Sequence, residues 1–232
     1  MKYQRVLIKL SGESLAKEDN TGIDFEKLLK IAEAIKEYVQ KGVEIAIVVG
    51  GGNFWRGRSN TVMEPVTSDH IGMLATTMNA LALNDALIQT GIESRIQTSI
   101  EMREIAEPYI KNRAIKHLDK KRVVIFGCGI GSPFFSTDTA AALRAAEIKA
   151  DIILKATNTD YLYDKDPRKY TDFEIIKETS HLRVIKDKLK VMDITAISLC
   201  MENNIPIRIF NIKKLENLKK AIEGEDVGSL IK

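Results

Sequence analysis

A chain of 232 residues, 44% of them hydrophobic, has material for one large domain or two small ones around a sizeable core. Charged residues make up 29%, but the signs nearly cancel to a net charge of +3, which argues against a chain built to live on nucleic acid. Two distant cysteines without a CxxC, three scattered histidines and no stretch near the ~18 apolar residues of a bilayer span argue against a disulfide framework, a zinc constellation and a membrane segment.

The opening "MKYQRVLIKLSG" is interrupted at Lys9, well short of a signal-peptide core, so the expectation is a protein of the cytoplasm. Six short β-rich runs follow one another along the chain: 5–10, 43–49, 94–99, 122–127, 151–156 and 205–210. Between the first two, "DFEKLLKIAEAIKEYVQKG" reads as an amphipathic helix capped by Asp24 and ended by Gly42, with Leu28, Ile31, Ala32, Ile35 and Val39 on one face. "DHIGMLATTMNALALNDALIQTG" is apolar nearly all round and predicts a buried helix. The basic stretch 111–122 fits a solvated helix end approaching a strand. "TDTAAALRAAEIKA", "DITAISLCMENN" and "KKLENLKKAIEG" predict three more helices. This alternation implies right-handed crossovers and a mostly parallel α/β sheet with helices on both faces. The runs 43–49 and 122–127 are continuous enough to be central strands. The polar interruption 158–174 is long for a connection in such a fold, and long connections tend to be functional.

Open parallel sheets bind ligands beyond the carboxyl ends of their strands, so residues just after each run matter most. Lys9, flanked by Ile8 and Leu10 and followed by Ser11-Gly12, is either a snorkelling edge lysine or a charge aimed at an anion. Gly50, Gly51 and Gly52 with Asn53 and Arg56 are either a tight turn or a nest of backbone N–H groups with a guanidinium for phosphate oxygens. "GCGIGSPFFSTD" places Ser136, Thr137 and Asp138 at the start of a helix, where phosphate is favoured, beside Phe134 and Phe135, which could wall a base or fill the core. "KATNTDYLYDKDP" offers Thr157, Asn158, Asp160, Tyr163, Asp164 and Asp166, suited to a purine or a magnesium ion, or simply to an Asp-rich turn. No GxxxxGK[ST], GxGxxG or GxSxG occurs, which sets aside P-loop kinases, dinucleotide enzymes and α/β-hydrolases.

"IKLSGE", "VVGGGNFWRG", "DHIGMLAT", "GSPFFSTDTAA", "LKAT", "YDKDP" and "LKVMDITA" occur in this order, and together the chain resembles the bacterial uridylate kinase branch of the amino acid kinase family from about residue 5 to residue 230. The resemblance implies a three-layer α/β/α sandwich in one domain spanning 1–232, with its N-terminal part on the UMP side and about 150–232 on the ATP side. It implies transfer of the ATP γ-phosphoryl group to UMP in pyrimidine nucleotide biosynthesis, magnesium with the ATP, and a homohexamer. By the same likeness, Lys9, Leu10, Ser11, Gly12, Gly52 and Arg56 belong to the ATP phosphates, and Thr157, Asn158, Tyr163 and Asp166 to the adenosine. Gly51, Asp69, Ile130, Gly131, Ser132, Pro133, Phe134, Phe135, Ser136 and Thr137 belong to UMP. Asp138 and Asp193 resemble family carboxylates near the reacting phosphates, and with Lys9 and Arg56 they form the implied catalytic set. Which aspartate organises magnesium stays open. Lys17, Glu18, Asp19, Asn20, Thr21 and Gly22 stand where relatives have a segment linked to GTP activation, and inhibition by UTP is also implied.

The family segment GTGNPFFTTD reads "GIGSPFFSTD" here, with Ile130 for threonine and Ser132 for asparagine, and Thr159 and Tyr161 replace a usual valine and glycine. A carboxylate or carbamate kinase on the same fold is one alternative. A UMP- or UTP-binding regulatory protein without turnover is another. Retention of Lys9, Arg56, Asp138 and Asp193 weighs against the second.

Overall fold

The computed structural model describes residues 2–57, 62–165, 167 and 169–232. The β-rich runs become strands where expected: β1 (Arg5–Leu10), β2 (Glu44–Val49), β3 (Ser94–Thr98), β5 (Val123–Gly127), β6 (Ile152–Thr157) and β10 (Ile207–Asn211). Shorter strands complete the set: β4 (Glu107–Pro108), β7 (Leu162–Tyr163), β8 (Ile175–Ile176), β9 (Glu178–Thr179) and β11 (Ser229–Ile231). Among the described residues the main sheet has the order β4-β3-β5-β2-β1-β6-β10-β11-β9, and only the β10–β11 pairing is antiparallel. The polar stretch 158–174 is not wholly irregular, because β7 within it pairs with β8 as a separate antiparallel ribbon.

The helices are α1 (Phe25–Gln40), α2 (Pro65–Gln89), α3 (Lys111–Asp119), α4 (Thr137–Ile148), α5 (His181–Lys186), α6 (Ile194–Glu202) and α7 (Leu215–Glu223). Period-two alternation along the strands divides the core into two sides. Val6, Ile8 and Leu10 pack with α1, α2 and α7, whereas Leu7, with Ala46, Val48 and Ile153, packs with α3, α4 and α6. Each fully buried Val, Leu or Ile side chain contributes roughly 1.5–3 kcal/mol of transfer free energy. The result is a three-layer α/β/α sandwich, with β1 near its middle.

Local chemistry fixes the helix starts. Asp24 accepts the Lys27 N–H at the head of α1, Ser136 accepts two N–H groups at the head of α4, and Asp193 accepts the Ala196 N–H at the head of α6. Helix α2 begins earlier than its apolar pattern suggests, since Glu64 accepts the N–H groups of Val66 and Thr67 and Pro65 occupies the first position. Asp69, where the apolar pattern begins, therefore lies inside the second turn of α2 and cannot be its cap. By length and composition α2 could cross a membrane, but it is half buried and packs against α1 and the sheet.

Candidate active site

Parallel strands β1 and β6 are neighbours, and their register places Lys9 opposite Lys155. Both lysines stand on the α4 side of the sheet, where Leu7 and Ile153 lie one pleat earlier. Helix α4 begins above them, so Asp138 in its first turn meets both: 2.9 Å from Lys9 Nζ and 2.7 Å from Lys155 Nζ. Lys155 also donates to the Val191 carbonyl at 2.5 Å. Burial raises the Asp138 pKa, but the two ammonium groups outweigh it and hold the carboxyl down at about 2. Burial pushes Lys155 down to about 8, with Asp138 opposing the shift, so it remains a cation at neutral pH.

Above this cluster opens a cavity of about 920 Å³. Lys9 and Asp138 lie on its wall together with Gly51, Gly52, Asp69, Phe134, Phe135, Ser136, Thr137 and Asp193. The start of α4 lines this cavity through Ser136 and Thr137, and the positive end of the helix dipole there favours an anion beside the lysines, although Ser136 Oγ already accepts the Asp138 and Thr139 N–H groups. A second cavity of about 580 Å³ lies beyond the β6 end, lined by Thr157, Tyr163 and Asp164 among others. Tyr163 packs edge-on against Phe173 at 5.3 Å between ring centroids, giving this cavity an aromatic wall.

The three glycines have separate reasons. A Cβ on Gly51 would sit 2.8 Å from Ala75 Cβ, and one on Gly50 would sit 3.0 Å from the Gly12 nitrogen, so both glycines serve close packing. Gly12 is the partner in that packing, since its own Cβ would fall 2.5 Å from the Gly52 nitrogen. Only at Gly52 would a Cβ meet nothing within 4 Å, and Gly52 is also a cavity residue. Its bare backbone is thus the surface a phosphate can approach.

Beside the larger cavity two non-glycine residues have left-handed backbones, Cys128 at φ +62° and Phe134 at φ +71°. Each such conformation costs roughly 1–2 kcal/mol and needs an anchor. Helix α2 supplies both: the Cys128 N–H donates to Thr76 Oγ1 at 2.8 Å, and the Phe134 N–H donates to Asp69 at 2.7 Å. Held this way, Phe134 and Phe135 are exposed toward the cavity rather than core.

The remaining sequence candidates fall elsewhere. Leu10 is core, and Ser11 caps the short 3₁₀ turn Gly12–Leu15. Arg56 lies outside both cavity walls, paired with Glu13 at 2.8 Å. Ile130 packs against the core beneath the loop, while Gly131, Ser132 and Pro133 do not line the cavity. Asn158 is exposed beside the second cavity without lining it, and Asp166 lies outside the described residues. The Lys17–Gly22 segment is tied to the glycine turn, because Asn53 Nδ2 donates to the Gly22 carbonyl and the Gly22 N–H donates to the Asn53 carbonyl. Asn20 and Gly22 there have positive φ, Lys17, Glu18 and Asp19 are exposed, and the Asp19 carboxylate accepts the Thr21 N–H.

Magnesium is the one cofactor implied, and the protein's carboxylates do not form a cage for it. Asp138 is held by two lysines. Asp193 accepts from the hydroxyls of Ser136 and Thr139 and from the Ala196 N–H. Among the described residues no three acidic, histidine or cysteine side chains converge.

Sequence reasoning missed Lys155, although "DIILKA" carries the same signal as "RVLIKL": a lysine inside an apolar strand. It also missed Lys190, which lines both cavities.

A doubly covered parallel sheet, with a buried cation pair below a nucleotide-sized cavity at its strand ends, defines a phosphotransferase of the α/β/α type. The chain belongs to the amino acid kinase family, whose model matches residues 4–211. Solved structures with the same fold include a UMP kinase from Bacillus anthracis, at TM-score 0.94 and 38% identity over 99% of this chain and 96% of that one. A UMP kinase from Ureaplasma parvum matches at TM-score 0.92 and 36% identity over 100% and 99% of the two chains. A uridylate kinase from Archaeoglobus fulgidus matches at TM-score 0.73 and 27% identity over 98% and 99%.

Proposed function

We propose that this chain transfers the γ-phosphoryl group of ATP to UMP, giving UDP and ADP. The observation that carries the reading is the pair of adjoining cavities, the larger one floored by Lys9 and Asp138 and the smaller one walled by Tyr163. UMP occupies the larger cavity, with its phosphate toward the lysines and α4, its ribose at Asp69 and its base against Phe134 and Phe135. ATP lays its adenosine in the smaller cavity, and its phosphates run past Gly52 toward Lys9. The N-terminal part of the chain then serves mainly UMP and the part from about 150 mainly ATP.

The chemistry requires no base. A phosphate monoester has its second pKa near ~6, so at pH 7 the attacking oxygen is mostly ionised. That oxygen bonds to the γ-phosphorus, and the bond to the β–γ bridging oxygen breaks, leaving its electron pair on ADP. The obstacle is repulsion between polyanions, and catalysis is positioning plus charge neutralisation. Lys9 and Lys155 supply fixed positive charge, and Asp138 sets their spacing. Among the described residues no cage of carboxylates would hold magnesium, so a magnesium ion bound to ATP would supply charge neutralisation on the phosphates beside Lys9 and Lys155.

A carboxylate or carbamate acceptor is smaller and needs neither the aromatic wall nor a ribose carboxylate. The deciding experiment is ATP-dependent conversion of UMP to UDP, run beside CMP, dUMP, AMP, acetylglutamate, aspartate and carbamate. Selective turnover of UMP is expected. Binding of UMP or UTP without turnover would instead make the chain a regulatory protein. The same reading extends to a homohexamer, for which the exposed apolar stripe Leu74, Met78, Leu81 and Ile88 on α2 offers an interface, and to the cytoplasm as its compartment. It also extends to GTP activation through Lys17–Gly22 and inhibition by UTP.

A further inference from the structure

The segment joining α5 to α6 crosses between the two cavities, and among the described residues only Lys190 and Val191 line both of them. The strap is tightly folded. Lys188 has φ +51°, the Val191 N–H donates to the Leu189 carbonyl, and Lys190 bridges Met192. It is also pinned at each end of the reacting region: Val191 accepts from Lys155 at 2.5 Å, and Asp193 accepts from Thr139 Oγ1 at 2.8 Å. Position along the strap is therefore fixed at residue 190. Its side chain is exposed and makes no ion pair or hydrogen bond to a described residue.

Charge balance gives this placement a meaning. Lys9 and Lys155 share one carboxylate, so the buried cluster brings a single net positive charge. Each phosphate monoester alone carries about −1.5 to −2 at pH 7. Even with a magnesium ion on the ATP phosphates, two nucleotides meeting where the cavities join leave negative charge at that junction for a further cation to offset. Arg56, the sequence's candidate for this, is instead held by Glu13 outside both walls.

We propose that Lys190 is a further catalytic residue, whose ammonium contacts the phosphoryl group as it passes from the ATP cavity to the UMP cavity; this rests on the phosphoryl-transfer reading above. Lysine suits the task as a compact charge on a flexible stem that can follow a moving group. Because the contact exists mainly during transfer, it should act on kcat more than on KM.

The test compares the full chain with Lys190→Met and Lys190→Arg. Thermal midpoints should agree, since the side chain has no structural partner. Lys190→Met should lower kcat by roughly 10²–10³-fold while KM for UMP changes by less than about threefold, and Lys190→Arg should recover to within about tenfold of wild type. Binding is read separately from the single tryptophan, Trp55, which lines the larger cavity. Lys190→Met should weaken binding of an adenosine–uridine dinucleotide joined by five phosphates by about tenfold or more, and leave UMP alone unchanged. A Met variant with wild-type kcat, or with undiminished affinity for the five-phosphate probe, overturns the role of Lys190. A wild-type chain that never phosphorylates UMP overturns the kinase reading instead, and the probe comparison still decides whether Lys190 bridges the cavities.

Discussion

Replacing Asp138 by asparagine separates electrostatics from shape in the buried cluster. The carboxylate lies 2.9 Å from one ammonium and 2.7 Å from the other. At an effective dielectric constant near 20, each contact is worth roughly 6 kcal/mol of attraction before desolvation is counted. Burial opposes most of that. The net result moves the carboxyl from 3.8 to about 2, which corresponds to roughly 2 kcal/mol. Asp138→Asn keeps the volume but strands two cations on paired residues of adjacent strands, and breaking a buried pair in this way costs about 3–5 kcal/mol. Adding Lys155→Met removes one stranded cation. The double variant should therefore be more stable than Asp138→Asn alone, with a coupling energy of about 1–3 kcal/mol between the positions. Urea unfolding of wild type, both single variants and the double variant at pH 7 measures the cycle. The sign with pH follows from the lowered pKa: the stabilisation is present above the unfolded value of 3.8 and is lost as pH falls toward about 2. The gap between wild type and Asp138→Asn should close across that window, and it should also narrow as pH rises past about 8, where Lys155 loses its proton and Asp138 its partner. An additive cycle, or an Asp138→Asn protein as stable as wild type, refutes the cluster as one electrostatic unit.

Asp69→Asn should raise KM for UMP by roughly 10–100-fold, as for loss of a charged hydrogen bond, with KM for ATP nearly constant. Its thermal midpoint should hold because Glu64, not Asp69, caps α2 and an asparagine Oδ1 can still accept the Phe134 N–H, and equal KM changes for both nucleotides would count against a ribose contact. Gly12→Ala should destabilise by about 1–3 kcal/mol because its Cβ falls 2.4 Å from Asn53 Oδ1, whereas Gly52→Ala should melt like wild type and bind ATP about tenfold more weakly. Melting curves and KM values distinguish these two outcomes. Ile130→Thr should cost about 1 kcal/mol of stability and leave the UMP/CMP ratio of kcat/KM unchanged, since Ile130 packs on the core. A widened ratio would mean that position 130 reads the base.

The long strands and helices were legible because their periodicity is strong over six or more residues. β9 and β11, at two and three residues, carry too little pattern to be seen, and they close the edge of the sheet through pairing that only the fold supplies. At the site, legibility depended on whether a residue's role was local. Lys9 stood out because a charge inside an apolar strand asks for a partner. Lys155 gives the same signal, yet its meaning comes from the β1–β6 register, which no local window contains. Asp138 stood at a helix start with Ser136 and Thr137, and only the fold shows that Ser136 caps the helix while Asp138 turns to the lysines. Asp193 looked like a phosphate-site carboxylate, and its oxygens are occupied at the head of α6 and by the hydroxyls at the start of α4. Lys190 was invisible because its importance is that two cavities meet beside it.

The lack of a histidine among the described residues of both cavity walls fits an acceptor that arrives ionised. The charged groups nearest the reacting region are the lysines, Asp138 and Asp193. An alcohol acceptor would need a proton taken from it near neutral pH, and this set holds no free group suited to that: Asp138 is held well below the usual carboxylate range, and Asp193 is engaged by three donors. A phosphate monoester, or a carboxylate, arrives already ionised. In the proposed reading the aromatic wall and Asp69 separate these two, because they would recognise a base and a sugar that a small carboxylate does not possess.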